Sequence, residues 1–456
     1  MKPSPRIASI RGFVLIVLAV TGLIAACQTA PPMLAPTESR LVQPASTAAE
    51  PVVTPTQASK PTLTAAPLPT VPLVLESSMV EYSIPLHIQH KTQDVLVLMF
   101  ELDQPIQGRV YWWPDDESYQ TANSMAFDGF QTRHLLSLQG LAPGHTYQIT
   151  VGLPGEDGID RIPTFMGEFW GPLEITTLSE AIFPLTIGVF GDSGFGETLT
   201  RDLAAQLSSY APDFIIHTGD LVYRADEQGG PEAAYQLKWY QTLSSLLEKT
   251  VIYPVVGNHE YDPDAILKGI PYYFSAFPML DELQGGWQEA PAGAERQWYA
   301  LEFGSLQMVF LNTQQLYGGS AREQQDVWLK SRLADPGFSA TIVVFHVPPF
   351  TSGLHNLDGQ AVISRWVSEF EASNVVLVLS GHDHNYERLE RNGITYLVSG
   401  GGSSVLYPLQ QRREESLRFD LKSHFVYLEV SAEELQIKVF DVEGTLFDSE
   451  TIALHP

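Results

Sequence analysis

The stretch Asp213-Phe214-Ile215-Ile216-His217-Thr218-Gly219-Asp220-Leu221-Val222-Tyr223 reads as a buried strand that stops at a glycine. Its apolar run has strand length and ends in turn residues. Asp220 is left at the strand's carboxyl end with Tyr223 three residues beyond, so two oxygen donors stand over one place. In open α/β sheets ligands collect at such ends, because the turns expose backbone and side chains to a common crevice. A Gly-Asp pair after a strand is by itself an ordinary turn, in which the aspartate bonds its own backbone. It gains meaning only by repetition.

The repetition is there. Leu185 to Phe190 ends in Gly191-Asp192-Ser193-Gly194, and leucines at helical spacing follow from Glu197 to Tyr210. Val251 to Val256 ends in Gly257-Asn258-His259-Glu260, Thr341 to Phe345 in His346, and Val375 to Leu379 in Gly381-His382-Asp383-His384. Strands alternating with helical stretches predict an α/β domain over residues 183–456. Five of its strands stop at a side chain of metal-ligand type.

Residues 76–178 have a different grammar. Val95 to Leu102, Arg109 to Trp113, Arg133 to Leu138, Thr146 to Val151 and Glu174 to Thr177 are short strands at the spacing of an all-β sandwich. Leu141-Ala142-Pro143-Gly144-His145-Thr146-Tyr147 resembles the tyrosine corner of fibronectin type III modules. His87, His90, His134 and His145 lack ligand-like spacing and read as surface or core residues.

At the amino end, Lys2, Arg6 and Arg11 precede an apolar run from Phe13 to Ile24, closed by Ala25-Ala26-Cys27. Residues 1–27 read as an export signal whose core is short for a membrane span. Its end resembles the lipobox of bacterial lipoproteins, which implies lipidation of Cys27, membrane attachment and an extracytoplasmic location. Cys27 is the only cysteine, which excludes internal disulfides. Residues 28–75 are rich in Pro, Ala, Thr and Ser with almost no aromatics, the composition of a disordered, extended tether.

The formal charge is −27. Removing residues 1–26 takes away three basic residues and no acidic ones, leaving 23 against 53, or −30. Such a field repels nucleic acid and anionic membranes. It also repels phosphate esters, so a phosphate-bearing substrate requires a local positive charge.

The blocks GDSG, GDLVY, GNHE, VVFH and GHDH, in that order, resemble the five signature blocks of the calcineurin-like metallophosphoesterases. The tyrosine of the second block is the mark of the purple acid phosphatases. The resemblance runs from about Phe183 to the end, and a fibronectin-like module precedes the catalytic domain in that family too. It implies an α/β sandwich of two central sheets flanked by helices, and a dinuclear metal centre. Asp192, Tyr223 and His384 would hold one ion, Asn258, His346 and His382 the other, with Asp220 between them.

The donor chemistry is consistent with that assignment. A tyrosine, with a pKa near 10, binds as phenolate at low pH only to a strong, hard Lewis acid, for which Fe(III) fits best. The second set suits divalent Zn, Mn or Fe. Charges of +3 and +2 against two carboxylates, a phenolate and a hydroxide leave +1, enough to attract phosphate locally. The implied activity is hydrolysis of phosphate monoesters by metal-activated water, with an imidazolium protonating the departing alkoxide. His259 and His355 are the candidates for that acid. The Pro348 to Leu354 segment before His355 looks like the family's substrate loop, although Asn356 stands where some members have a second histidine. Two alternatives are a phosphodiesterase or nucleotide-hydrolysing relative and a non-catalytic surface-binding protein.

The remaining polar runs carry less. His217 reads as structural, Gly400 to Ser404 as a turn without the lysine of a P-loop, and Gln410 to Arg418 as a solvated loop or helix face. Tyr407 and His424 receive no role, and the oligomeric state is left open.

Overall fold

The computed structural model describes residues 72–224, 229–261, 269–278, 298–317 and 321–454. Cys27, the signal and most of the tether lie outside the described residues. The first strand, Leu73–Lys91, takes in the last three tether positions, because Leu73 is buried against Tyr111 and Trp113.

That strand serves two partners in turn. Its first part pairs in parallel with Asp160–Phe165, and from Tyr82 it pairs antiparallel with Val95–Leu102, which in turn pairs with Arg133–Gln139. Gly108–Pro114 lies between Asn123–Phe127 and Thr146–Pro154, and Leu173–Thr176 pairs with the latter. Leu98 and Phe100 of one group share a core with Val110, Ile149 and Val151 of the other. The Tyr147 hydroxyl accepts the Ala142 N–H at 2.9 Å, the hydrogen bond expected of a tyrosine corner.

Leu73–Lys91 and Asp160–Phe165 were not legible as strands. In the former Ile84, Leu86 and Ile88 point into the sandwich, yet His87 between the last two and Gln89 just after them are buried as well. Their face packs on the second half of the chain: Gln89 Nε2 donates to Ala276 O at 3.0 Å, and His90 Nδ1 lies 2.8 Å from Tyr253 Oη. A strand covered on both sides loses the alternation by which strands are recognised.

The second half holds two sheets. One runs in the order Ile252–Pro254, Phe214–His217, Leu185–Phe190, His424–Val430, Glu434–Asp441, Leu446–Ala453, its first three strands parallel. The other runs Tyr299–Phe303, Leu306–Phe310, Ala340–Val344, Val375–Ser380, Ile394–Ser399, Tyr386–Arg391, Ser416–Asp420, with a parallel block from Leu306–Phe310 to Ile394–Ser399. Alternate residues explain the layering. Met308, Ile342, Leu377 and Leu397 join Ile187, Phe214 and Phe425 in a core between the sheets. Val309, Val343 and Val378 face the other way, onto Leu329, Trp366 and Phe370 of the covering helices. On the first sheet, Thr198–Ser208 contributes Leu203, Ala204 and Leu207. The fold is therefore the expected two-sheet α/β arrangement behind an all-β portion. Among the described residues no helix is long and apolar enough to cross a membrane.

The mixed-charge run Gln410 to Arg418 is not a helix face. Its end enters the Ser416–Asp420 strand, and its start is tied down by Gln410 and Gln411 N–H groups donating to Ser352 O. Its charges are spent locally, Arg413 lying beside Glu415 and over the Phe350 ring.

The join between the two halves predicts an acid sensitivity. Burial lowers His90 to about 4. Above pH 6.5 the ring is neutral in both states; between 6.5 and 4 only the unfolded chain takes up the proton, so stability falls as pH falls. Denaturation midpoints measured from pH 7.5 to 4.5 will show a loss of up to about 3 kcal/mol from this residue, and His90→Gln will flatten that part of the profile.

Candidate metal centre

All five strand ends deliver their side chains to one place. Asp192 follows Leu185–Phe190, Asp220 follows Phe214–His217, Asn258 follows Ile252–Pro254, His346 follows Ala340–Val344, and His382 and His384 follow Val375–Ser380. Asp192, Asp220 and His346 present ligand atoms within 4.8 Å of one another. Asp192, Asp220 and His382 hold positive φ of 58°, 55° and 67°. Left-handed backbone costs a residue with a side chain of order 1–3 kcal/mol and persists where the surroundings over-determine it, as at functional sites. Two glycines show how close the loops come. A Cβ on Gly257 would sit 2.1 Å from Asp220 Oδ1, and one on Gly381 would sit 2.3 Å from Asp192 Oδ2.

The hydrogen bonds fix which ring atoms face the centre. His346 Nδ1–H donates to Thr218 O at 2.9 Å, His384 Nδ1–H to Val405 O at 2.7 Å, and His382 Nε2–H to Asp358 Oδ2 at 2.9 Å. The other nitrogen of each ring then carries a lone pair, and each meets oxygen. His346 Nε2 is 2.9 Å from Asn258 Oδ1 and 3.3 Å from Asp220 Oδ1. His382 Nδ1 is 2.8 Å from Asn258 Oδ1. His384 Nε2 is 2.9 Å from Tyr223 Oη and 3.5 Å from Asp192 Oδ1. Tyr223 can donate its hydroxyl to His384 Nε2, but the Asn258 and Asp220 oxygens accept only, and a cation between them and the His346 and His382 nitrogens would satisfy both sides. Outward N–H groups held by carbonyls and carboxylates are the usual support of metal-binding imidazoles.

The protonation energetics agree. Burial pulls His346 down, but the Asp220 carboxylate outweighs it and raises the ring to about 9, so without a metal a proton takes the cation's place. Burial, then Asp192 and Asp220, push the Tyr223 phenol well above its usual range, so only a strongly positive neighbour would ionise it. Burial, then Asp220, raise Glu260 to about 8. Metal ligands drawn from Asp192, Asp220, Tyr223, Asn258, His346, His382 and His384 therefore fit what surrounds them.

The candidate acids sit on different flanks. The His259 ring stands edge-on to Tyr223 at 4.5 Å, with Nε2 4.0 Å from Asp220 Oδ2. The His355 ring is 4.3 Å from that of His382 and about a third of its side chain is exposed. His217 is buried and bridges Ser193 Oγ and the Gly219 N–H, a structural role. His424 is likewise buried, against Ser399 Oγ and Lys422 O.

Four residues around the site escaped the sequence reading. Glu260 is buried and accepts N–H groups of Asp220, Leu221 and Gly257 at 3.2, 2.8 and 2.7 Å, tying two ligand loops together. Asp383 accepts from Thr351 Oγ1 and Leu354 N, fastening the loop before His355. The Tyr407 ring lies flat on His384 at 4.2 Å. Asp358 Oδ2 accepts from both His355 Nδ1 and His382 Nε2 at 2.9 Å, so one oxygen orients a candidate acid and a candidate ligand. The only signal was His355-Asn356-Leu357-Asp358, a His and Asp three apart in a loop. Asp358→Asn, which keeps one acceptor but offers an NH₂ in place of the other, will weaken retention of the ion on the His382 side roughly 10- to 100-fold. Metal titration followed by ion release on dialysis measures it.

Comparison with known proteins follows the same lines. A sequence model described as calcineurin-like phosphoesterase matches residues 185–386. Purple acid phosphatase 15 of Arabidopsis thaliana is 24% identical over 59% of this chain and 53% of its own length. The Fe(3+)-Zn(2+) purple acid phosphatase 12 of the same plant is 27% identical over 48% of this chain and 46% of its own. This chain thus spans about half the length of the curated relatives it matches. In fold it is similar to a purple acid phosphatase from yellow lupin (Lupinus luteus) seeds, with a TM-score of 0.63 and 16% identity over 81% of this chain and 74% of that one.

Proposed function

We propose, from the match of residues 185–386 to the calcineurin-like phosphoesterase model, that the chain is an acid phosphatase with a dinuclear metal centre, acting on phosphate monoesters. The observation that carries the reading is the convergence of three imidazole lone pairs on the oxygens of Asp192, Asp220, Tyr223 and Asn258. Asp192, Tyr223 and His384 would hold Fe(III), Asn258, His346 and His382 a divalent Zn, Mn or Fe, and Asp220 both. The name Fe(3+)-Zn(2+) borne by one relative supports that pairing. When bound, the two ions supply Lewis-acid activation of water and neutralise the ester oxygens.

The chain's own groups do the rest. Asp383 and Glu387 pin the 351–355 loop through Thr351, Ser352 and Leu354, so His355 is held at the edge of the centre. Asp358 accepts the Nδ1–H of His355, which leaves the protonated Nε2 to face a leaving group and donate its proton to it. His259, held by its own N–H on Asp220 Oδ1, stands ready on the Tyr223 side.

The finer reading extends to the amino end: an exported protein, lipidated at Cys27, carried on a tether from residue 28 to the start of the first strand at Leu73, with a fibronectin type III-like module before the catalytic domain. The lipobox-like end of the signal and the Tyr147 corner support it. Metal-loaded protein will hydrolyse a chromogenic phosphate monoester faster than the corresponding diester at acid pH. The reverse order would identify a phosphodiesterase, and loss of neither processing nor membrane partition in Cys27→Ser would remove the anchor.

A further inference from the structure

Three loops that meet around His355 carry apolar side chains into solvent. Leu354 and Leu357 flank it and are 48% and 75% exposed; Val405 and Leu409 flank Tyr407 and are 37% and 44% exposed. Tyr317, half-exposed, donates its hydroxyl to Asp358 O. Single exposed leucines are ordinary, but these are gathered by rigid connections. Gln410 and Gln411 N–H groups donate to Ser352 O at 2.8 and 3.0 Å, Arg413 N–H to Ser352 Oγ at 2.9 Å, and Glu387 holds Ser352 N–H at 2.7 Å from below. The Tyr407 ring, stacked on His384, lies 5.3 Å from the His355 ring.

Position converts this rim into a specificity element. If His355 protonates the leaving oxygen, that oxygen lies within hydrogen-bond reach of its Nε2, and the carbon side of the ester extends over the loops just described. What it meets there is Tyr407, Leu354, Leu357 and Leu409. The chain as a whole carries −27, so an alcohol portion bearing further negative charge is repelled. Resting on the phosphatase reading, we propose that the rim seats the alcohol portion of the substrate, and that the preferred class is phosphate monoesters of aromatic or bulky apolar alcohols rather than of sugars, polyols or polyphosphates.

The test compares kcat/KM for 2-naphthyl phosphate, phenyl phosphate and glycerol phosphate, together with inhibition by naphthylmethylphosphonate and methylphosphonate, which bind without reacting. Naphthyl and phenol leaving groups have similar acidity, so their ratio reports contact with the added ring. About a tenfold preference for naphthyl over phenyl is expected, the lower end of what an added apolar group gains in a pocket because the rim is open. The phosphonates will show the same order of inhibition constants. In Leu354→Ser/Leu409→Ser the naphthyl to phenyl ratio will fall toward one. A ratio near one in the unaltered protein, or a preference for glycerol phosphate, overturns the specificity and leaves the phosphatase reading standing. Failure to hydrolyse any monoester when metal-loaded overturns the phosphatase reading and the specificity with it.

Discussion

Turnover of an alkyl phosphate will fall by roughly 10²- to 10⁴-fold in His355→Ala, the usual scale for loss of a general acid, while both metals stay bound. The argument is positional. His355 contributes none of the converging lone pairs; it lies against His382, partly open to solvent, with one nitrogen committed to Asp358 and the other free for a leaving group. An aryl phosphate leaves as a weak base and needs its proton less, so its deficit will be smaller. His259→Ala will show the same leaving-group dependence if His259 shares the work from the Tyr223 side. Equal losses for aryl and alkyl esters in both variants would make these rings phosphate-binding groups instead.

Asp220→Asn will have the larger effect on the centre itself. Asp220 is 1% exposed, touches His346, lies near His259, and sits between the two sets of candidate ligands. The amide removes a negative charge that both ions would share, so both will be lost on dialysis and activity will drop further than in either histidine variant. In the metal-free protein two effects oppose each other: the amide removes the buried carboxylate that pairs with protonated His346, and it relieves Glu260. Asp220 and Glu260 are buried together, and their mutual repulsion is part of why Glu260 rises to about 8; neutralising one relieves the other. Thermal melts will show loss of the metal-dependent increase in midpoint, since only ligands bound to the native state stabilise it. A metal-dependent increase that survives the substitution would place Asp220 outside the centre.

The candidate ligands were legible because each lies at a strand end beside a turn, where local sequence controls geometry. Gly257 and Gly381 belong to that legible pattern, and their reason is the carboxylates that leave no room for a Cβ. Asp358, Glu260 and Tyr407 were not legible. Their partners lie 24 residues away for Asp358 to His382, and 40 for Glu260 to Asp220, and nothing in a loop sequence says which distant loop it will touch. The same holds for the fold. The parallel strands that end in candidate ligands announced themselves as continuous apolar runs, whereas Leu73–Lys91 hid its pattern because its second face is covered by Tyr253 and Ala276. The charges of Gln410 to Arg418 suggested solvent, and Gln410, Gln411, Arg412 and Glu414 are exposed; what they did not suggest is that backbone bonds to Ser352 make the run a clamp on the loop before His355.

The central claim is a dinuclear centre in which Tyr223 is a ligand to ferric iron, and metal analysis combined with a visible spectrum of the purified, oxidised protein tests it most directly. The account predicts two metal ions per chain, at least one of them iron, and a purple to pink colour arising as light moves electron density from the Tyr223 phenolate to the metal. A colourless, active protein holding two zinc or manganese ions and no iron would contradict it.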